Sequence, residues 1–224
     1  MIIVIDGPAG AGKSTTAKEV ARRAGFDYVD SGAMYRGFTY LYLLYDRDRA
    51  RLIEKLDNHG LRFEFHITEA RVFHGEKDIT ADIRSDSVNS RVSEVAAMEE
   101  VRNAVRQLLR DVSADSDVVL EGRDLGTVVF PDADFKFFLT ADPEARARRR
   151  YDERIQKGEQ VSLEQVRENV ETRDRIDSTR DIAPLRKADD AVEIDSTLLT
   201  FEEQVTRILK HVRNISTETQ GSIN

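Results

Sequence analysis

Residues 1–16 read MIIVIDGPAGAGKSTT. Ile2, Ile3, Val4 and Ile5 form an unbroken apolar run, as a parallel strand does when both its faces are covered. Gly7, Gly10 and Gly12 follow. The stretch then closes on Lys13 and Ser14, where a helix from about Lys13 to Ala24 starts and Gly25 is placed to end it. A loop Gly7-x-x-x-x-Gly12-Lys13-Ser14 between strand and helix holds a nucleotide's phosphates. Glycines let backbone N–H groups encircle an anion, and the helix N-terminus adds its positive dipole end. Lysine reaches the β/γ-phosphates and the serine hydroxyl ligates Mg²⁺. The expected ATP-binding set is therefore Gly7, Pro8, Ala9, Gly10, Ala11, Gly12, Lys13, Ser14 and Thr15, with Ser14 also the metal ligand.

The remaining sequence continues the alternation of strand and helix. Phe26 to Val29 is a second strand, stopping at Asp30-Ser31-Gly32; an apolar helix (33–45) and a charged one (51–57) come next. From Gly60 the rhythm changes: Leu61, Phe63, Phe65 and Ile67 alternate with Arg62, Glu64 and His66, the pattern of a half-exposed strand. Residues 60–85 are expected to be a small antiparallel insertion, with Arg71 to Asp78 returning as a hairpin. Helical spacing resumes from Val88 to Val112. Val118–Leu120, Phe135–Leu139 and Val192–Ile194 supply three more strands. Asp142-Pro143, Ser162-x-x-Gln165 and Thr200-x-x-Glu203 are helix starts. The expected organisation is an α/β core from 1–59 and 86–224, including a lid at about 144–162, interrupted by the insertion.

Composition narrows the function. Of 224 residues, 34% are charged and the net charge is −8, which argues against nucleic acid or an anionic membrane as partner. There is no cysteine for a disulfide or thiolate metal site. A start that runs directly into a strand predicts a cytoplasmic protein. No apolar heptad or long edge strand stands out, so a monomer is expected.

The destination of the terminal phosphate is the open question. The base-reading Asn-Lys-x-Asp of a GTPase is missing. The strand at Val118–Leu120 ends in Glu121-Gly122-Arg123-Asp124, in place of a closing aspartate alone. Arg146, Arg148, Arg149, Arg150 and Arg154 crowd one helix, and Arg173, Arg175 and Arg180 follow in the next. Phosphoryl transfer is mostly positioning and charge neutralisation, so a kinase with a phosphorylated acceptor needs several cations together. An arginine-bearing lid would supply them and exclude water. A protein that binds ATP without transferring its phosphate should lack the lysine or the arginines, and both are present.

Three stretches carry a resemblance: Asp30-Ser31-Gly32-Ala33-Met34-Tyr35-Arg36, Glu121 through Ala133 (EGRDLGTVVFPDA) and Ile182-Ala183-Pro184-Leu185. In order and spacing they resemble bacterial cytidylate kinases across nearly the whole chain. That resemblance implies a P-loop nucleoside-monophosphate-kinase sandwich of three layers, with a five-stranded parallel sheet, a lid and a small antiparallel insertion. It implies transfer of the γ-phosphoryl of MgATP to CMP or dCMP, a step of pyrimidine metabolism. It also implies roles. Arg36, Arg123 and Arg180 match the acceptor-phosphate arginines and, with Lys13, make up the catalytic set. Ser93, Arg102 and Asp124 match the residues that read cytosine; Arg173 and Asp177 match those that meet the pentose, and Ser31 lines the acceptor loop. Arg149 and Arg150 are assigned to ATP. Glu121 departs from the aspartate of many relatives, and Asp124 read alone could instead belong to a metal shell. A kinase for UMP or AMP, or a nucleotide sensor, remains the alternative.

Overall fold

Strand β1 (Ile2–Asp6) is the middle strand of a five-stranded sheet, and Ile3, Val4 and Ile5 are wholly buried. Alternate residues of a strand face opposite ways, so Ile3 and Ile5 enter one apolar core and Val4 the other. A strand apolar on both faces needs helices on both. The computed structural model, which describes residues 1–67, 69–156 and 158–221, places them there.

Helix α1 (Lys13–Ala24) buries Lys13, Thr16, Ala17, Val20 and Ala21 at helical spacing and ends at Gly25, left-handed at φ 74°. Strand β2 (Asp27–Asp30) leads into α2 (Ser31–Leu44), whose first turn is capped by the Asp30 carboxylate accepting from the Ala33 N–H at 2.9 Å. A short α3 (Arg49–Glu54) follows. Strands β3 (Leu61–Phe65), β4 (Ala70–His74) and β5 (Lys77–Asp78) form a separate antiparallel sheet within the expected insertion, three strands where the pattern suggested a hairpin. Ile67 lies beyond β3, not in it. This small sheet packs on α2 so closely that a Cβ at Gly37 would sit 3.3 Å from Leu61 and Phe63. The Tyr28 N–H also donates to the His66 carbonyl at 3.3 Å, which covers the outer edge of β2.

The single helix expected over Val88–Val112 is three: α4 (Asp86–Asn89), α5 (Val92–Ala96) and α6 (Glu99–Ser113). Its apolar face is continuous all the same, with Val88, Val92, Val95, Val101, Val105 and Leu109 buried. Polar side chains compete for the backbone at the first break: Asn89 Nδ2 donates to the Arg84 carbonyl and Ser90 Oγ to that of Ser87. At the second, Met98 is extended, and the freed Ala96 carbonyl accepts from Arg102 Nη1 at 3.0 Å.

Strands β6 (Val118–Gly122) and β7 (Phe135–Thr140) flank β1 on either side. After them come α7 (Pro143–Gln156), α8 (Leu163–Thr179), β8 (Val192–Asp195) and α9 (Phe201–Gly221). The three helix-start signals are used as expected: Asp142 accepts from the Glu144 N–H, and Ser162 with Gln165 and Thr200 with Glu203 exchange their capping bonds. The strand order is β2-β6-β1-β7-β8, all parallel, which is the sheet expected from the sequence. In such a sheet the loops leaving neighbouring strand ends emerge together. Here those are the glycine loop after β1, Ser31-Gly32 after β2, and Arg123-Asp124 after β6. Among the described residues no helix is long and apolar enough to cross a membrane.

Candidate active site

A cleft of about 950 Å³ opens where those three loops meet, roofed by α7 and α8. Nine cationic side chains line it against seven carboxylates, in a chain of net charge −8. The cleft is a local positive region that draws anions.

Ala9, Gly10, Gly12, Lys13, Ser14 and Thr15 of the glycine loop line this cleft. Gly7, Pro8 and Ala11 do not: Ala11 lies in the core, the Pro8 carbonyl faces Lys13, and Gly7 is pressed against β7. A Cβ at Gly7 (φ 149°) would stand 2.0 Å from the Leu139 carbonyl oxygen, and one at Gly10 (φ 77°) 3.0 Å from that of Arg146. These two glycines thus serve close packing of the loop on β7 and α7 as well as access for a ligand.

Lys13 is 5% exposed, with Nζ donating to the Pro8 carbonyl at 2.8 Å. Burial, and then the nearby Arg123 charge, lower its pKa from 10.5 to about 7. An anion beside the ammonium restores the charged form. Between pH 7 and 10.5 the free protein therefore holds fewer protons than its complex, and binding a triphosphate takes one up. Calorimetry of a non-hydrolysable ATP analogue at pH 8.5, in buffers of different ionisation enthalpy, should register uptake of close to one proton. Affinity should fall about tenfold per pH unit above 7. Pure buffer-independent heat would show that Lys13 does not change its protonation on binding, against the lowered pKa.

Asp6, at the end of β1, is buried and accepts from the Leu125 and Gly126 N–H groups at 3.1 and 2.8 Å. Burial pushes its carboxyl up to about 6 against those two bonds. It fixes the start of the wide turn Leu125–Val129, and so the segment carrying Arg123 and Asp124.

Arg173, Asp177 and Arg180 recur on one face of α8 and its C-cap, the neighbours that a helix places at i, i+4 and i+7. Asp177 receives Arg123 Nε at 3.0 Å, with Arg180 at 3.8 Å. Asp124, 4% exposed, receives Arg180 Nη2 at 3.0 Å on one oxygen and Arg102 Nη2 on the other. Those two arginines are its ion-pair partners. Glu121 is likewise engaged, accepting from the Tyr28 hydroxyl at 2.8 Å. Ser31 Oγ donates to the Glu121 carbonyl at 2.6 Å. Arg173 keeps a buried Nε with no hydrogen-bond partner, and burial beside Arg123 lowers its pKa to about 10.

The arginines of α7 divide. Arg149 lines the cleft with Nη1 on Ser196 Oγ at 3.0 Å, and Arg150 lines it paired with Glu153 at 2.7 Å. Arg146, expected with its neighbours on an arginine-bearing lid, is set apart from them. It is 5% exposed and donates to the Ala141 and Ala9 carbonyls at 3.0 Å and to Asp174 Oδ2 at 2.5 Å. The same Asp174 accepts from the Ala9 N–H at 3.3 Å. This pair of a buried arginine and a half-buried aspartate ties α7 and α8 to the glycine loop.

A family model described as cytidylate kinase matches residues 3–214. The chain belongs to the cytidylate kinase family. It is 45% identical over 216 residues to the cytidylate kinase of Halalkalibacterium halodurans, covering 95% of this chain and 97% of that protein. The cytidylate kinase of Clostridioides difficile is 43% identical over 215 residues, with 95% and 98% covered. Among solved structures, an uncharacterized protein from Eubacterium ventriosum superposes with a TM-score of 0.51 at 13% identity, over 95% of this chain and 98% of that one; this shows the fold alone.

Of the residues that the resemblance to cytidylate kinases singled out, Ser31, Arg36, Ser93, Arg123, Asp124, Arg173, Asp177 and Arg180 line the cleft. Arg102 stands behind Asp124, 3% exposed. Sequence reasoning passed over Asp6, Asp30, Asp174 and Ser196, which hold the loops and arginines in place. It also gave the Ile182–Leu185 motif no physical job. Ala183 is left-handed at φ 50°, and its carbonyl accepts from Arg180 Nε at 2.7 Å while the Leu185 N–H donates to the Asp177 carbonyl. A non-glycine residue held in that region costs on the order of 1–3 kcal/mol, and here the turn sets an arginine of the site.

Proposed function

We propose that the chain transfers the γ-phosphoryl group of MgATP to CMP or dCMP, giving ADP and CDP or dCDP. Membership of the cytidylate kinase family supports this, and one observation carries it: a phosphate-binding loop and a carboxylate flanked by two arginines share one cleft. The loop takes ATP, with Lys13 at the β/γ-phosphates and Arg149 and Arg150 from the lid. Arg36, Arg123 and Arg180 take the acceptor phosphate. An oxygen of that phosphate attacks the terminal phosphorus of ATP, and the bond from that phosphorus to the β–γ bridging oxygen breaks to release ADP. No side chain need act as nucleophile.

Asp124 would read the base. Each carboxylate oxygen has two lone pairs, so one already bonded to an arginine can accept from the N4 amine of cytosine as well. Uracil would oppose a carbonyl to that carboxylate, a mismatch with a strong penalty. Arg102 and Ser93 complete the base edge, while Arg173 and Asp177 suit the pentose hydroxyls. Ser14 is the residue that would hold Mg²⁺. Among the described residues no group of three or more carboxylates and histidines is set to hold a metal. A Mg²⁺ that takes most of its ligands from ATP phosphates and water fits a single hydroxyl in a positive cleft. When bound, it neutralises charge on the transferring phosphate.

The test is ADP release from MgATP with CMP, dCMP, UMP, AMP and GMP offered separately, beside a control with no acceptor. Release that depends on CMP and dCMP is expected. Equal release without acceptor would mean an ATPase, and preference for UMP or AMP would remove Asp124 from base reading.

A further inference from the structure

Arg84 closes the insertion, at the end of the short turn Asp82–Arg84 that follows its last strand, and lines the cleft. Its Nη2 donates to Asp30 Oδ2 at 3.0 Å. Arg36 Nη2 donates to the same carboxylate, at 3.0 and 3.2 Å to its two oxygens. Asp30 is 2% exposed at the end of β2, and burial pushes its carboxyl up until the two guanidiniums hold it below the usual range. Two cations are thus gathered on one buried anion at the mouth of the acceptor side.

Asp30 is not held by Arg84 alone: its oxygens also receive the Ala33 N–H and two bonds from Arg36, while Arg84 reaches it through Nη2 only. Nor does the insertion need Arg84 as its sole anchor. Ile83 beside it is 1% exposed, and Asn89 Nδ2 holds the Arg84 carbonyl at 2.7 Å. The Arg84 side chain is 48% exposed, leaving part of its fork to the cleft, and Arg36 Nε is buried with no hydrogen-bond partner. Unpartnered donors on two adjacent guanidiniums match the several acceptor oxygens of a phosphate dianion.

We propose that Arg84, carried in by the insertion, binds the acceptor nucleotide's phosphate together with Arg36. The inference rests on the functional reading above and adds a residue that reading does not use. Asp30 holds both forks before the nucleotide arrives, so little side-chain freedom is lost on binding. The antiparallel sheet then has a task at the site: it delivers one cation to the acceptor.

The experiment compares binding of CMP, millimolar cytidine and an ATP analogue to the wild type, Arg84→Ala and Arg84→Gln, the second variant keeping length if the first does not fold. Loss of one charged hydrogen-bonding contact predicts a CMP Kd raised about 10- to 100-fold. The cytidine and ATP-analogue affinities should stay within about twofold. An unchanged CMP Kd, or equal losses for CMP and cytidine, would overturn the proposal and leave Arg84 an anchor. A wild type that binds and phosphorylates neither CMP nor dCMP would instead overturn the functional reading itself.

Discussion

Lys13→Ala should lower the turnover number about a thousandfold or more, with CMP affinity nearly unchanged. The ammonium sits 2.8 Å from the Pro8 carbonyl, inside the glycine loop and away from the acceptor-side arginines that Asp30, Asp124 and Asp177 hold. A buried charge aimed where negative charge gathers in the transition state is worth far more than the same charge in water. Stability should not suffer. Burial already disfavours the charged form, with a pKa near 7, so the alanine variant sheds a desolvated cation. Steady-state kinetics with calorimetric CMP binding separates the effects. Turnover within tenfold of wild type would take the loop lysine out of the mechanism.

Arg123→Ala should reduce turnover by about a hundredfold or more, the size expected when a transition-state charge contact is lost. Asp177 and the Gly122 carbonyl hold its guanidinium between the two halves of the cleft, at 3.0 and 3.2 Å. It also stands near enough to Lys13 for its charge to depress that lysine. The variant therefore carries a second signature. The pH above which binding of the ATP analogue takes up a proton should move upward, because Lys13 regains basicity once the neighbouring cation is gone. An unmoved pH would show that the Arg123 charge does not reach Lys13. A near-wild-type rate would likewise show that Arg123 is not at the reacting phosphates.

Much of this was legible in the sequence, and the reasons differ by element. Ile2–Ile5 and the glycines after it are local signals, since burial on both faces and left-handed backbone each select their own residue types. The same holds for Asp142-Pro143 and the two capping boxes. Spacing alone predicts one helix over 88–112 because it reports which face is buried, and that face stays continuous through the breaks at Ser90 and Met98. Arg146 was grouped with its neighbours because composition does not tell a solvated guanidinium from one inside the core. What separates it is Asp174, in the next helix. Pairings such as Asp30 with Arg84 and Glu121 with Tyr28 join distant parts of the chain and leave no periodic trace. Sequence can name their members only where the topology already says which strand ends are neighbours.

The most direct measurement follows the terminal phosphate itself. MgATP labelled in the γ position is incubated with CMP, and label is counted in CDP and in inorganic phosphate against ADP formed. One labelled CDP per ADP, with inorganic phosphate near background, is the predicted result, because the arginine-lined cleft brings the acceptor to the transferring group in place of water. Label appearing mainly as inorganic phosphate, at a rate that ignores CMP, would contradict it.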